Sequence, residues 1–196
     1  MTGRFVIATA PSVEPVTLAE FKTHARISVS TAGQETEYTD WVTAARQHVE
    51  SLCGPIITQT VDMYLDEWPL GDMRIPKPRV TSVTSVKYYD EDETEATFSS
   101  ASYQVDTASH YARIALKDGY DWPSVTLRPV NGIIVRFVAG WADAAAVPST
   151  IKNAIKQLMA SWEMQREASA IGNSIQALKM PYGFEELLTH YREYGF

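Results

Sequence analysis

The spacing of apolar residues changes twice along this chain, and that change constrains the fold more than any single motif. Tyr38, Trp41, Val42, Ala45, Val49, Leu52 and Cys53 recur every three or four positions, with Asp40, Thr43, Gln47 and Glu50 on the opposite side. This pattern predicts an amphipathic helix from about Glu35 to Cys53. Gly54-Pro55 should stop it, glycine by adopting left-handed geometry and proline by lacking an amide donor. Upstream, Thr17-Leu18-Ala19-Glu20 reads as a capping box that opens a shorter helix with Leu18, Phe21 and Ala25 as its apolar stripe. Ser28 to Gly33 is expected to be loop.

From Thr58 the period falls to two. Thr58 to Leu65 alternates polar and apolar residues, as a half-buried strand does. Val80 to Tyr89, Tyr103 to Val105, Ala112 to Leu116 and Ile133 to Val138 are further expected strands. Asn131-Gly132 is a tight-turn signal. Pro76, Pro78, Pro123 and Pro129 restrict their neighbourhoods to edges or short strands.

The helical spacing returns after Pro148, with Ile151, Ala154, Ile155, Leu158, Met159 and Trp162 on one stripe. Glu167 to Met180, which contains Gly172, reads as a connection. Pro181 would start a last short helix with Phe184, Leu187, Leu188 and Tyr191 on one side. The expected fold class is α+β: a helical unit from the N- and C-terminal helices with an inserted, mainly antiparallel β module. The boundaries read as 1–57 for the N-terminal helical part, 58–140 for the β module and 141–196 for the C-terminal helical part.

The chain has 196 residues, 45% hydrophobic and 21% charged, enough to bury a core without disulfides or metal. Its one cysteine, Cys53, excludes an internal disulfide and reads as a small buried hydrophobe. The formal charge of −7 disfavours specific nucleic-acid binding, and the densest cationic group, Arg74, Lys77 and Arg79, is interrupted by prolines. Met1 to Ala10 lacks the apolar core of a signal peptide, and no run reaches membrane-spanning length. The expectation is a soluble protein made in the cytoplasm, with no membrane partner.

Catalytic signatures are missing. His24, His48, His110 and His190 share no metal-ligand spacing with each other or with Cys53. There is no nucleophile elbow, phosphate-cradling loop or dinucleotide fingerprint. Asp90-Glu91-Asp92-Glu93 lacks the spaced ligands and glycine of a calcium loop and reads as a solvated hairpin turn. No catalytic residue, metal or cofactor is expected. Trp41 and Trp162 fall on helical apolar faces and read as core. Trp68, Trp122 and Trp141 stand near loop boundaries, where a tryptophan serves either local packing or a binding surface.

Several segments, taken in order, resemble a family of phage head–tail connector proteins related to the head-completion adaptors beneath the portal. They are Glu14 to Lys22, Ala44-Ala45-Arg46 through Gly54, Thr58-Gln59-Thr60, Ile75 to Val86, Phe137 to Trp141, Val147-Pro148 before a helix ending Trp162-Glu163, and Met180 to Leu188. The resemblance covers nearly the whole chain. It departs at Gln34 to Tyr38, where the family more often has acidic and apolar residues.

The resemblance implies a non-enzymatic virion protein at the head–tail junction, a structural adaptor between the portal protein and a tail-side stopper or completion protein. It implies self-assembly into a ring of about twelve subunits, through which DNA passes. An acidic conduit would let the duplex slide. Candidate channel-facing residues are Glu35, Glu37, Asp40, Asp90, Glu91, Asp92 and Glu93. The candidate partner interface is the C-terminal segment, through Phe184, Leu187, Leu188, Tyr191, Tyr194 and Phe196, anchored as an amphipathic helix in a groove. The alternative for that helix is to cover its own helical unit. Rival functions are a β-rich module binding carbohydrate or protein through Trp68, Trp122 and Trp141, or a hydrolase with scattered carboxylates.

Overall fold

A computed structural model describes residues 3–164 and 183–192 of the chain, which divides into two compact units. One unit comprises residues 13–57 and 142–196 and is helical; the other comprises residues 1–12 and 58–141 and is built of strands.

Two capping boxes start the helical unit. Helix α1 (Leu18–Ala25) has Thr17 as its cap: the Thr17 hydroxyl accepts from the Glu20 amide at 3.2 Å, and the Glu20 carboxylate accepts from the Thr17 amide at 2.7 Å. Helix α2 (Ala32–Cys53) repeats the device with Thr31 and Gln34. That second box starts α2 before Glu35 and takes Ala32 and Gly33 out of the expected loop. At the far end Gly54 has φ 75° and ψ −175°, so its positive φ leads into extended backbone rather than the left-handed helical turn.

Helix α3 (Ser149–Met164) packs on α1, α2 and the short α4 (Phe184–Leu188). The apolar stripes read from the sequence meet here. Phe21, Tyr38, Val42, Ala45, Val49 and Cys53 are buried, as are Ile151, Ala154, Ile155, Leu158 and Met159. Each such large side chain removed from water contributes roughly 1.5–3 kcal/mol. Trp41 and Trp162 meet edge to face at 6.1 Å but are only half-buried. They form the margin of this core, not its interior.

The strand unit begins at the N-terminus. Residues 4–9, which the sequence reading places in the helical part, form strand β1 (Arg4–Thr9), antiparallel to β2 (Gln59–Leu65). The remaining strands are β3 (Met73–Pro78), β4 (Val80–Tyr89), β5 (Glu95–Phe98), β6 (Tyr103–Asp106), β7 (Tyr111–Leu116) and β8 (Ile133–Ala139). A five-stranded sheet has the order β1-β2-β8-β4-β5 and a three-stranded sheet the order β3-β7-β6; every pairing is antiparallel.

The two sheets enclose one core, which includes Val61 and Met63 of β2, Met73 and Ile75 of β3, Ile114 of β7 and Val135 and Phe137 of β8. Inward residues alternate with outward ones on β8, where Arg136 faces out and donates to both carboxylate oxygens of Asp62 at 2.7 Å. Two register shifts in the β4–β8 pairing let β4 bend around that core. The protein is thus α+β, with an antiparallel β module inserted between its N- and C-terminal helices.

Candidate functional site

The acidic hairpin between β4 and β5 is built by its first residue. Asp90 Oδ1 accepts from the amides of Asp92 at 3.0 Å and Thr94 at 2.8 Å, and Glu93 takes φ 60° to close the turn. Asp90 therefore serves the backbone, and Glu91, Asp92 and Glu93 are left exposed. Behind the turn, Lys87 Nζ donates to Glu95 Oε1 at 2.6 Å and the Tyr89 hydroxyl donates to Glu95 Oε2. The bond from Lys87, then that from Tyr89, holds the Glu95 carboxyl below its ordinary value.

The other expected acidic residues lie on α2. Glu35 accepts from Lys22 Nζ at 2.8 Å and from the Ser30 hydroxyl at 2.7 Å, and these bonds, Lys22 first, lower its pKa. Its charge is locally neutralised and ties α1 to α2. Glu37 is half-buried and Asp40 is exposed. The seven residues do not act alike: Glu35 and Asp90 hold local structure, while Asp40, Glu91, Asp92 and Glu93 present charge to solvent.

The C-terminal residues also separate. Phe184 and Leu188 are fully buried, and the Phe184 ring lies 6.0 Å from the His48 ring of α2. Their apolar surface is taken up by their own helical unit, which corrects the expectation that they form an external face. Leu187 and Tyr191 are half-buried and keep surface to offer. Tyr194, Phe196, Pro181 and the connection from Glu167 to Met180 lie outside the described residues.

A site that the sequence reading missed is the ion cluster around Arg46. Its guanidinium donates to Glu14 Oε2 at 2.7 Å and to Glu50 Oε2 at 2.6 Å. Glu14 also accepts from Thr43, and Glu50 from the Ile56 amide. The helical spacing puts Glu50 on the polar side of α2. The i, i+4 spacing of Arg46 and Glu50 was the available signal; Glu14 is brought in only by the fold.

The tryptophans do not make a row of open indoles. Trp68 and Trp122 stack on each other with centroids 5.0 Å apart and planes 13° apart, flanked by Phe98 and, beyond it, Tyr103. Trp122 Nε1 donates to the Gly71 carbonyl at 3.2 Å and joins two loops. Trp141 lies under the Arg79 guanidinium, 4.4 Å from its centroid. Among the described residues no three His, Cys, Asp or Glu side chains are placed to hold a metal ion, and no helix is long and apolar enough to cross a membrane.

No protein-family model matches the sequence, and no curated protein matches it. Solved structures do match the fold. A chain in the neck of an empty gene transfer agent particle computed with C6 symmetry aligns with TM-score 0.74 and 23% identity, over 98% of this chain and 97% of that one. A chain in the virion of a native gene transfer agent particle gives TM-score 0.75 and 22% identity, over 98% and 96%. A third, in the neck of the native particle computed with C12 symmetry, gives 0.70 and 22%, over 100% and 97%. The whole of this chain therefore shares its fold with chains of phage-like particles.

Proposed function

We propose that this chain is a structural adaptor of a tailed-phage head–tail connector, one subunit of a ring between the portal protein and tail-side proteins. The observation that carries the reading is the end-to-end likeness to chains in particle-neck structures, at TM-scores of 0.70 to 0.75. A match over both units, not one, is what a shared place in an assembly requires. The C6 and C12 symmetries in which those necks were computed support a ring of about twelve copies. The chain acts by shape and surface and makes or breaks no bond.

Its net charge of −7 suits a conduit that does not hold DNA. Asp40 is exposed and is the residue best placed to add to a negative lumen. Leu187 and Tyr191, with Tyr194 and Phe196, are the proposed portal contacts. Electron microscopy of the purified full-length chain with and without its portal tests the reading. A closed ring on the portal is expected; a tight two-fold dimer that never joins a ring would refute it.

A further inference from the structure

The strand unit has two open sides, and they carry opposite charge. On one side β1 ends the five-stranded sheet and β3 ends the three-stranded one, and the two approach each other where Lys77 Nζ sits 5.3 Å from the centre of the Phe5 ring. On the other side β5 and β6 are the end strands, held together by the stacked rings of Phe98 and Tyr103 at 5.7 Å. Strands β1 and β3 contain Arg4, Arg74 and Lys77 and no acidic residue. Residues 90–106, which hold the acidic turn, β5 and β6, contain Asp90, Glu91, Asp92, Glu93, Glu95 and Asp106 and no lysine or arginine.

Part of that acidic charge is met within the subunit, because Glu95 pairs with Lys87 and Asp106 with Arg113. Glu91, Asp92 and Glu93 remain exposed on one side, and Arg4 and Arg74 on the other.

The edges differ in protection as well. Pro76 and Pro78 remove amide donors from β3. Strand β1 contains no proline, and Val6 and Ile7 on it are 44% and 55% exposed. Its blocking devices are Arg4 and a bulge between Ile7 and Thr9. An apolar edge with free backbone groups is a liability unless something covers it.

Resting on the ring reading above, we infer that the two sides are the two halves of one head-to-tail contact between copies of this chain. The β1/β3 side of one copy receives the acidic β4–β5 turn and the β5/β6 side of the next, so that Arg4 and Arg74 face Glu91, Asp92 and Glu93. Two different, complementary faces are what a heterologous ring contact needs, and a two-fold dimer does not need them. The contact is partly electrostatic and weakens with salt, since charges at a wet interface are screened beyond about 8 Å at physiological ionic strength. The charges also set partner orientation, because like sides repel.

The test uses two full-length variants. Arg4→Glu with Arg74→Glu makes both sides acidic; Glu91→Lys with Asp92→Lys and Glu93→Lys makes both sides basic. All five positions are exposed, and circular dichroism melting should show both variants folded as the wild type. At a concentration where the wild type forms rings by electron microscopy, alone or on the portal, each variant should lose ring formation at least about tenfold. An equimolar mixture of the two should recover it, with alternating copies. Wild-type rings together with variants that assemble undiminished, or a mixture that stays inert, would overturn this inference and leave the ring reading standing. No ring from the wild type under any condition would remove both.

Discussion

Arg46 and Glu50, one turn apart on α2, form an ion pair with N–O 2.6 Å whose side chains are only 5% and 9% exposed. Glu14 completes the pairing from outside the helix, 2.7 Å from Arg46 Nε. Burial of the guanidinium is the largest influence on it and acts against its charge; the bonds and charges of Glu14 and Glu50 outweigh it, so its pKa is raised.

This cluster predicts an asymmetric mutational response. Arg46→Ala should destabilise the helical unit by about 3 kcal/mol, because it strands two carboxylates of which one is nearly sealed. Arg46→Lys should not rescue fully, since one ammonium cannot reproduce the forked donors that reach Glu14 and Glu50 separately. Urea denaturation followed by far-ultraviolet circular dichroism measures both. Loss below about 0.5 kcal/mol for the alanine variant would place the cluster among ordinary surface pairs.

The Trp68–Trp122 stack predicts a local effect in the strand unit. Trp122→Ala removes a ring that Trp68 and Phe98 pack against and the bond to the Gly71 carbonyl. A cost of about 2 kcal/mol is expected, below that of a fully buried aromatic because both indoles are half-exposed. Near-ultraviolet circular dichroism should lose the coupled indole signal, and Trp141→Ala, which removes the ring beneath Arg79 and leaves the Trp68–Trp122 pair in place, should keep it.

Acid should loosen particular ties before it unfolds the core. The carboxyls of Glu35 and Glu95 lie below their ordinary value of 4.5, the first mainly through Lys22 and the second mainly through Lys87. A depressed folded pKa means that the contribution to stability is present above about 4.5 and is lost as pH falls through the lower folded value. Both groups are solvent-exposed, so each effect is small. Chemical shifts of the β4–β5 hairpin followed by NMR should move together below pH 4.5, and Glu95→Gln should remove the part that tracks Lys87.

How legible these features were depended on burial. Val61, Met63 and Leu65 alternate with outward residues and sit on a central strand, so β2 could be read directly, as could β8 and β4. Strand β1 could not, because on an exposed edge Val6 and Ile7 follow one another without contrast. Strand β3 was hidden by Pro76 and Pro78, which argue against a strand unless it lies at an edge, and β5 by its four-residue length. The acidic turn was visible as a run of charge, but its opposition to Arg4 and Arg74 appears only when β1 and β3 come together across 68 positions of sequence, from Phe5 to Met73. The aromatic face of the last helix fitted a core or a partner equally well. Periodicity states that a face is apolar and does not state what covers it.

Duplex DNA should pass without being held. The full-length chain should show no saturable binding to a random duplex below about 1 µM at physiological salt, since its net charge of −7 opposes the phosphates. Fluorescence anisotropy measures this directly. Submicromolar binding with a steep salt slope would contradict a non-adhesive conduit and would direct attention to Arg4, Arg74 and Lys77.

The C-terminal helix offers the sharpest separation of stability from attachment. Phe184 and Leu188 are buried against their own unit, whereas Leu187 on the same helix and Tyr191 in the turn that follows it keep exposed surface. Phe184→Ala should therefore cost about 3 kcal/mol or more, as truncation of a buried aromatic does. Leu187→Asp and deletion of Tyr191 to Phe196 should leave the melting temperature nearly unchanged, since Leu187 and Tyr191 are only half-buried. If this end of the chain docks on the portal, those same two changes should abolish attachment in a pull-down with purified portal, while the folded fraction of Phe184→Ala still attaches. Attachment that survives both surface changes would show that α4 serves only its own helical unit. Unfolding on deletion would lead to the same conclusion, since the terminal residues would then belong to the core.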